Sequence, residues 1–197
     1  METKYSFFAM ISRMKNITRW TLMRNNTHEN IQEHSHIVAV IAHALAVIRR
    51  DVFHCDADPG LAASLALFHD SSEIFTGDMP TPIKYYDAEI MEAYKKVEAV
   101  ASRKLLASLP TEMRPAYKTL LSPQHDGISE LVKAADRLAA YIKCIEELKT
   151  GNLDFRLAAE QSKEKLLNMG LPEVDYFIDN FIPAFELTLD ELDFTFE

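Results

Sequence analysis

Between His34 and Ile48 apolar residues point in nearly every direction around a helix, with Val38, Ile41, Leu45 and Ile48 along one stripe and Ile37, Ala44 and Val47 beside it. A helix of that kind is expected at the centre of a fold. Leu61 to Phe68 repeats the pattern over a shorter span and ends in two polar residues, His69 and Asp70. Leu131 to Ile145 is one-sided: Val132, Ala135, Ala139 and Ile142 define an apolar face, and Asp136 stands among them. Along the whole chain the periodicity predicts helices near 4–15, 31–50, 59–73, 88–108, 112–121, 128–149, 153–168 and 173–182, with a shorter turn near 185–192. Asp58 before Pro59 is a capping acceptor followed by a residue that needs no amide hydrogen there, and Gly151 and Gly170 are placed to stop helices. Only 5 of 197 residues are glycine, too few for a fold built on tight hairpins. Repeats, low-complexity tracts and Pro/Gly/Ser-rich linkers are absent, so 1–197 reads as one compact, multi-helix, all-α domain.

Charge narrows the partners. With 21 basic against 30 acidic side chains the net charge is −9, and the pI near 5.3 disfavours a nucleic-acid polymer, whose binding relies on clustered cations. An anionic substrate must then be met by a metal or by a few local cations. Cys55 and Cys144 are too few for a disulfide framework or a Cys-based zinc site, which fits a reducing, cytoplasmic setting. Tyr5 to Ser12 is apolar like a signal core, but Arg13 and Lys15 follow where small cleavage-site residues belong. The longest apolar run is interrupted by histidines and ends at Arg49-Arg50, so no membrane span is expected.

Asp136 is the first residue that demands chemistry. An ionised carboxylate on an apolar face must take up a proton, pair with a cation or bind a metal. Pairing with Lys133 or Arg137 at the rim is one solution. The other is a shared site: His34 opens the central helix, His69-Asp70 closes the next, and with Asp136 they supply two imidazoles and two carboxylates. Two nitrogens and two oxygens suit a borderline divalent ion such as manganese, cobalt, iron, nickel or zinc, with positions left for water and substrate. Glu73 follows His69 by one turn and can face the same cleft. The second His-Asp pair, His125-Asp126, lies between Pro123 and Gly127, where Asp126 is better placed to cap the following helix. His28, His36, His43 and His54 carry no ligand pattern, and Ser71 and Ser72 lack the turn of a nucleophilic serine.

The order His34, His69-Asp70, Asp136 on three helices resembles the HD-domain superfamily of metal-dependent phosphohydrolases. Arg19-Trp20, Glu33-His34-Ser35, His69 to Glu73, Thr76 to Pro82 with Lys84-Tyr85, Lys133 to Asp136, Tyr141 to Cys144 and Pro183 to Phe185 are similar to the bacterial 5'-deoxynucleotidase branch. One departure is Gln32, where a small capping residue is expected before Glu-His.

That resemblance implies an all-helical HD fold, a homodimer, and one divalent metal, cobalt, manganese or another transition ion, held by His34, His69, Asp70 and Asp136. It implies hydrolysis of deoxyribonucleoside 5'-monophosphates to deoxyribonucleosides and phosphate, by attack of a metal-activated water on phosphorus. Arg19 would orient the phosphate, Trp20 would crowd the sugar at its 2' position, and Glu73 would position water or move a proton. Asp78, Met79, Pro80 and Thr81, in a loop stiffened by two prolines, would contact substrate together with His34 and Asp136. Two other readings stay open at this stage. One is an HD hydrolase acting on cyclic dinucleotides or guanosine polyphosphates; the other is a non-catalytic helical binding module with a structural metal.

Overall fold

The computed structural model describes residues 4–84, 86–122 and 127–192. Its helices are α1 (Phe7–Ile11), α2 (Ile31–Val47), α3 (Pro59–Phe68), α4 (Glu73–Thr76), α5 (Thr81–Lys84), α6 (Ala88–Ala107), α7 (Arg114–Leu121), α8 (Gly127–Lys149), α9 (Arg156–Leu167) and α10 (Pro172–Asn180), with short 3-10 turns at Ser12–Asn16, Leu153–Phe155 and Ile182–Glu186 and a π turn at Ile48–Val52. Among the described residues the only β pairing is an isolated antiparallel bridge between Thr18 and Asn30. The all-α expectation holds.

The main core forms where α2 packs on α3 and α8. Ala39, Ala42 and Ala46 of α2 and Ala62 and Ala66 of α3 are all buried, and side chains this small let the two helices approach closely. Leu131, Ala135, Leu138 and Ile142 of α8 close the third side. A second cluster gathers Phe7, Leu105, Leu109 and Leu121, and a third seats Trp20 against Cys144, Phe155 and Ala159.

Several boundaries differ from the sequence reading for identifiable reasons. The predicted helix 59–73 stops at Phe68, because the His69 Nδ1–H donates to the Ala66 carbonyl at 2.7 Å and the Ser71 hydroxyl donates to the Phe68 carbonyl at 2.7 Å. Side chains thus take the acceptors that the next helical turn would use. The predicted helix 4–15 shortens to α1 plus a 3-10 turn over Ser12–Asn16, and α2 passes at Ile48–Val52 into a wider turn closed by Phe53 N–H to the Ile48 carbonyl at 3.1 Å. Gln32 is inside α2 and does not weaken its start: Asn30 caps the helix, accepting from Gln32 and Glu33 amides while Glu33 answers to the Asn30 amide. Asp58 caps α3 as read, and Gly151 and Gly170 adopt φ of 84° and 63° after α8 and α9. His125 and Asp126 lie outside the described residues.

The central helix is not enclosed on every side. Ile37 is 43% and Val40 55% exposed, so one face of α2 looks outward while Val38, Ile41 and Leu45 are buried. Ile31–Val52 has the length and mean hydropathy, 1.3, of a membrane span, but 56% of that stretch is buried inside the fold, as a core helix is. Cys55 and Cys144 are both free thiols.

Candidate functional site

Packing alone carries the polar residues to one place. The start of α2 meets the end of α3, and α8 runs alongside both. His34, fully buried, directs Nε2 to Asp136 Oδ1 at 3.0 Å and lies 3.7 Å from Asp70 Oδ2. His69 Nε2 stands 3.1 Å from the same Asp70 oxygen. Ligand atoms of His34, His69 and Asp136 all fall within 4.8 Å of one another. The rim pairing of Asp136 with Lys133 or Arg137 is not what the fold uses: its close partner is His34, and Arg137 instead reaches the Lys165 carbonyl at 3.4 Å.

The donor set fits a divalent cation. His69 gives its Nδ1 proton to the Ala66 carbonyl, which leaves the Nε2 lone pair facing the Asp70 carboxylate with no hydrogen bond. Two lone pairs at that separation need a proton or a cation between them. Without a metal the ring meets this need by holding a proton: burial opposes the charge, but the Asp70 and Asp136 carboxylates outweigh it and lift the His69 pKa to about 9. Burial likewise disfavours ionised Asp70 and Asp136, yet the adjacent histidines hold both below the usual carboxylate range.

Around this corner the other expected residues divide. Arg19 donates from Nη1 to Asp70 Oδ2 at 3.4 Å and from Nε to Glu29 Oε2 at 3.1 Å. Trp20 packs on Phe155 with ring centroids 5.4 Å apart, and its backbone sits at φ 58°, a conformation L side chains rarely adopt. Glu73 is buried with Oε2 unpartnered, and burial, reinforced by Asp70 and Asp78, pushes its pKa up to about 9. Burial also raises Asp78. A cleft of about 850 Å³ is lined by Arg19, Trp20, Asp78, Met79, Pro80 and Asp136, and also by Arg137, Gln161 and Lys165. The Thr81 side chain lies outside the described residues. His28, His36, His43 and His54 are exposed.

The loop over the corner is anchored from α6. Lys84 pairs with Glu98 at 2.9 Å and lies over the Tyr94 ring, and the Tyr94 hydroxyl meets Thr76 at 3.2 Å.

One residue escaped the sequence reading altogether. Glu29 Oε2 accepts from both Arg19 Nε, at 3.1 Å, and Trp20 Nε1, at 2.9 Å, while its Oε1 lies 3.9 Å from His34 Nδ1. It belongs to a polar stretch with no periodicity, and its reach to Arg19 follows from pairing across the bridge, where the Arg19 amide donates to the Glu29 carbonyl at 2.9 Å. Lys165 and Gln161, which also line the cleft, carry no sequence signal, since they read as the solvated face of α9.

A family model described as 5'-deoxynucleotidase YfbR-like matches residues 6–185. A 5'-deoxynucleotidase of Vibrio parahaemolyticus is 48% identical over 188 residues, covering 94% of this chain and 97% of that protein. One of Pectobacterium atrosepticum is also 48% identical, covering 94% of each. An HD-domain phosphohydrolase from Listeria innocua superposes with a TM-score of 0.80 at 23% identity, covering 91% of this chain and 88% of that one. The cyanophage S-2L HD phosphohydrolase DatZ, solved with dA and one catalytic Zn2+ ion, superposes at 0.60 with 22% identity, covering 93% and 98%.

Proposed function

The chain belongs to the YfbR-like 5'-deoxynucleotidase family, and from that premise we propose that it hydrolyses deoxyribonucleoside 5'-monophosphates to deoxyribonucleosides and phosphate. The observation that carries this reading is the convergence of His34, His69, Asp70 and Asp136 beside Arg19, with Arg19 and Asp136 lining a cleft of nucleotide size, about 850 Å³.

His34, His69, Asp70 and Asp136 would hold one divalent ion; two nitrogen and two oxygen donors accept cobalt, manganese or zinc alike. Such an ion acidifies water and neutralises phosphoryl oxygens when bound. The rest is done by side chains. Arg19 is anchored through Nε, so its terminal nitrogens present a planar fork to the phosphate, and the long contact to Asp70, 3.4 Å, is readily exchanged for it. Glu73 holds a proton at its buried carboxyl and moves it to or from the reacting oxygens. Trp20 forms the wall against the sugar, where its bulk excludes a 2'-hydroxyl. Asp78, Met79, Pro80 and Thr81 contact the nucleotide from the loop, together with His34 and Asp136.

Two free cysteines support a cytoplasmic setting. The exposed Ile37 and Val40 on α2 and Leu67 on α3 support a homodimer. The family match over 6–185 supports a single domain.

The test is phosphate release from matched deoxy- and ribonucleoside 5'-monophosphates by protein loaded in turn with cobalt, manganese and zinc. Faster release from the deoxy series is expected with at least one ion. Equal rates would remove the deoxyribose preference, and no release with any ion would remove the nucleotidase reading.

A further inference from the structure

We infer that Glu29 is the positioning residue of this centre: one carboxylate fixes Arg19 and Trp20 together and backs the His34 ring, so phosphate binding and sugar discrimination depend on a group behind both. The inference rests on the nucleotidase reading.

Three facts converge on it. Both hydrogen bonds to Glu29 Oε2 come from donors that leave their working face free: the Arg19 Nε rather than its terminal nitrogens, and the Trp20 indole N–H at the ring edge. A bond of the first kind fixes the plane of the guanidinium, and the second fixes the swing of the only tryptophan. Next, Trp20 is held at φ 58°, a strained setting that persists only where surroundings over-determine it. Backbone contacts, Met23 N–H and Asn25 Nδ2 on the Trp20 carbonyl at 3.0 and 3.1 Å, hold the main chain, and the indole is held by its hydrogen bond to Glu29. Last, His34 Nδ1 is buried without a hydrogen bond, and Glu29 Oε1 faces it at 3.9 Å. With Nε2 given to a cation, the ring proton would reside on Nδ1, on the side that the Glu29 carboxylate faces.

Glu29→Ala and Glu29→Gln separate these duties. The amide oxygen of glutamine still accepts from Arg19 and Trp20, but its nitrogen then faces His34. In Glu29→Ala the KM for a deoxyribonucleoside 5'-monophosphate is expected to rise and the deoxy-to-ribo ratio of kcat/KM to fall by about tenfold. Trp20 fluorescence should become more quenchable by acrylamide. Glu29→Gln should keep the wild-type ratio and emission while its affinity for the metal, measured by calorimetry, drops by about tenfold. A folded Glu29→Ala protein with wild-type selectivity and wild-type emission would overturn the inference. So would a Glu29→Gln protein whose emission and metal affinity both match wild type while its selectivity is lost. Should the wild-type protein release no phosphate from any nucleotide, the nucleotidase reading falls alone, because emission and metal affinity still decide what Glu29 holds.

Discussion

Asp136 shows how one side chain serves two demands. It sits in α8 among residues that build the core, yet its side chain is 44% exposed and lines the cleft. Little packing therefore depends on its charge. Asp136→Asn should keep the helical circular-dichroism signal and a near-wild-type melting temperature, while metal affinity and turnover fall by more than about 100-fold. A fully active variant would remove Asp136 from the metal shell. The residues of this corner were legible because a histidine or aspartate on an apolar helix is a chemical anomaly, and four such anomalies in a fixed order form a pattern. Glu29 was illegible for the opposite reason: among the polar residues between Thr21 and Asn30 an acidic side chain is ordinary, and only the Thr18–Asn30 bridge turns it towards Arg19.

At the level of elements, the period of apolar residues located the long helices α2, α6 and α8 but not where α3 ends, since backbone capture by His69 and Ser71 leaves no trace in periodicity. Charge pairs are equally ambiguous. Glu92 and Lys96 on α6 are four residues apart and mostly exposed, whereas Lys143 and Glu147 on α8 have the same spacing and are buried. Glu147 also accepts from the Asn26 and Thr27 amides and from Asn152, so it fastens the segment carrying Arg19 and Trp20 onto the end of α8. Burial alone would raise its pKa; the bonds from Lys143, Asn152 and the two amides more than offset this and bring it down to about 2. A carboxylate whose folded pKa lies below its unfolded one stabilises the fold fully above the unfolded value, near 4.5, and loses that contribution as pH falls towards 2. The expected size is about 3 kcal/mol. Glu147→Gln should lose about that much in urea unfolding at pH 7, and the difference from wild type should shrink steadily between pH 4.5 and 2.

For the molecule as a whole, the net charge of −9 repels a phosphomonoester before it arrives. Arg137 and Lys165 line the cleft with Arg19 and provide a local field of the opposite sign. Reversing both, Arg137→Glu with Lys165→Glu, should lower kcat/KM for a nucleoside monophosphate by about tenfold at low ionic strength while kcat changes little. At about 1 M salt, where screening acts within ~3 Å, most of that loss should disappear. An unchanged kcat/KM at low salt would show that the rim cations play no part in capture. Composition foretold that local cations were needed but not which ones, because α9 presents lysines and a glutamine as any solvated helix does.

The three segments proposed to hold the ion are far apart in the chain, at residues 34, 69–70 and 136. On that proposal, a polypeptide emerging from the ribosome would have no place for the ion until α8 has left the exit tunnel and docked. Fragments that stop short of it would bind metal weakly and remain inert, a safeguard against stray phosphatase activity during synthesis. Conversely, chelation loosens the junction of all three helices at once, so the apo protein should melt several degrees earlier in one cooperative step rather than fray from an end.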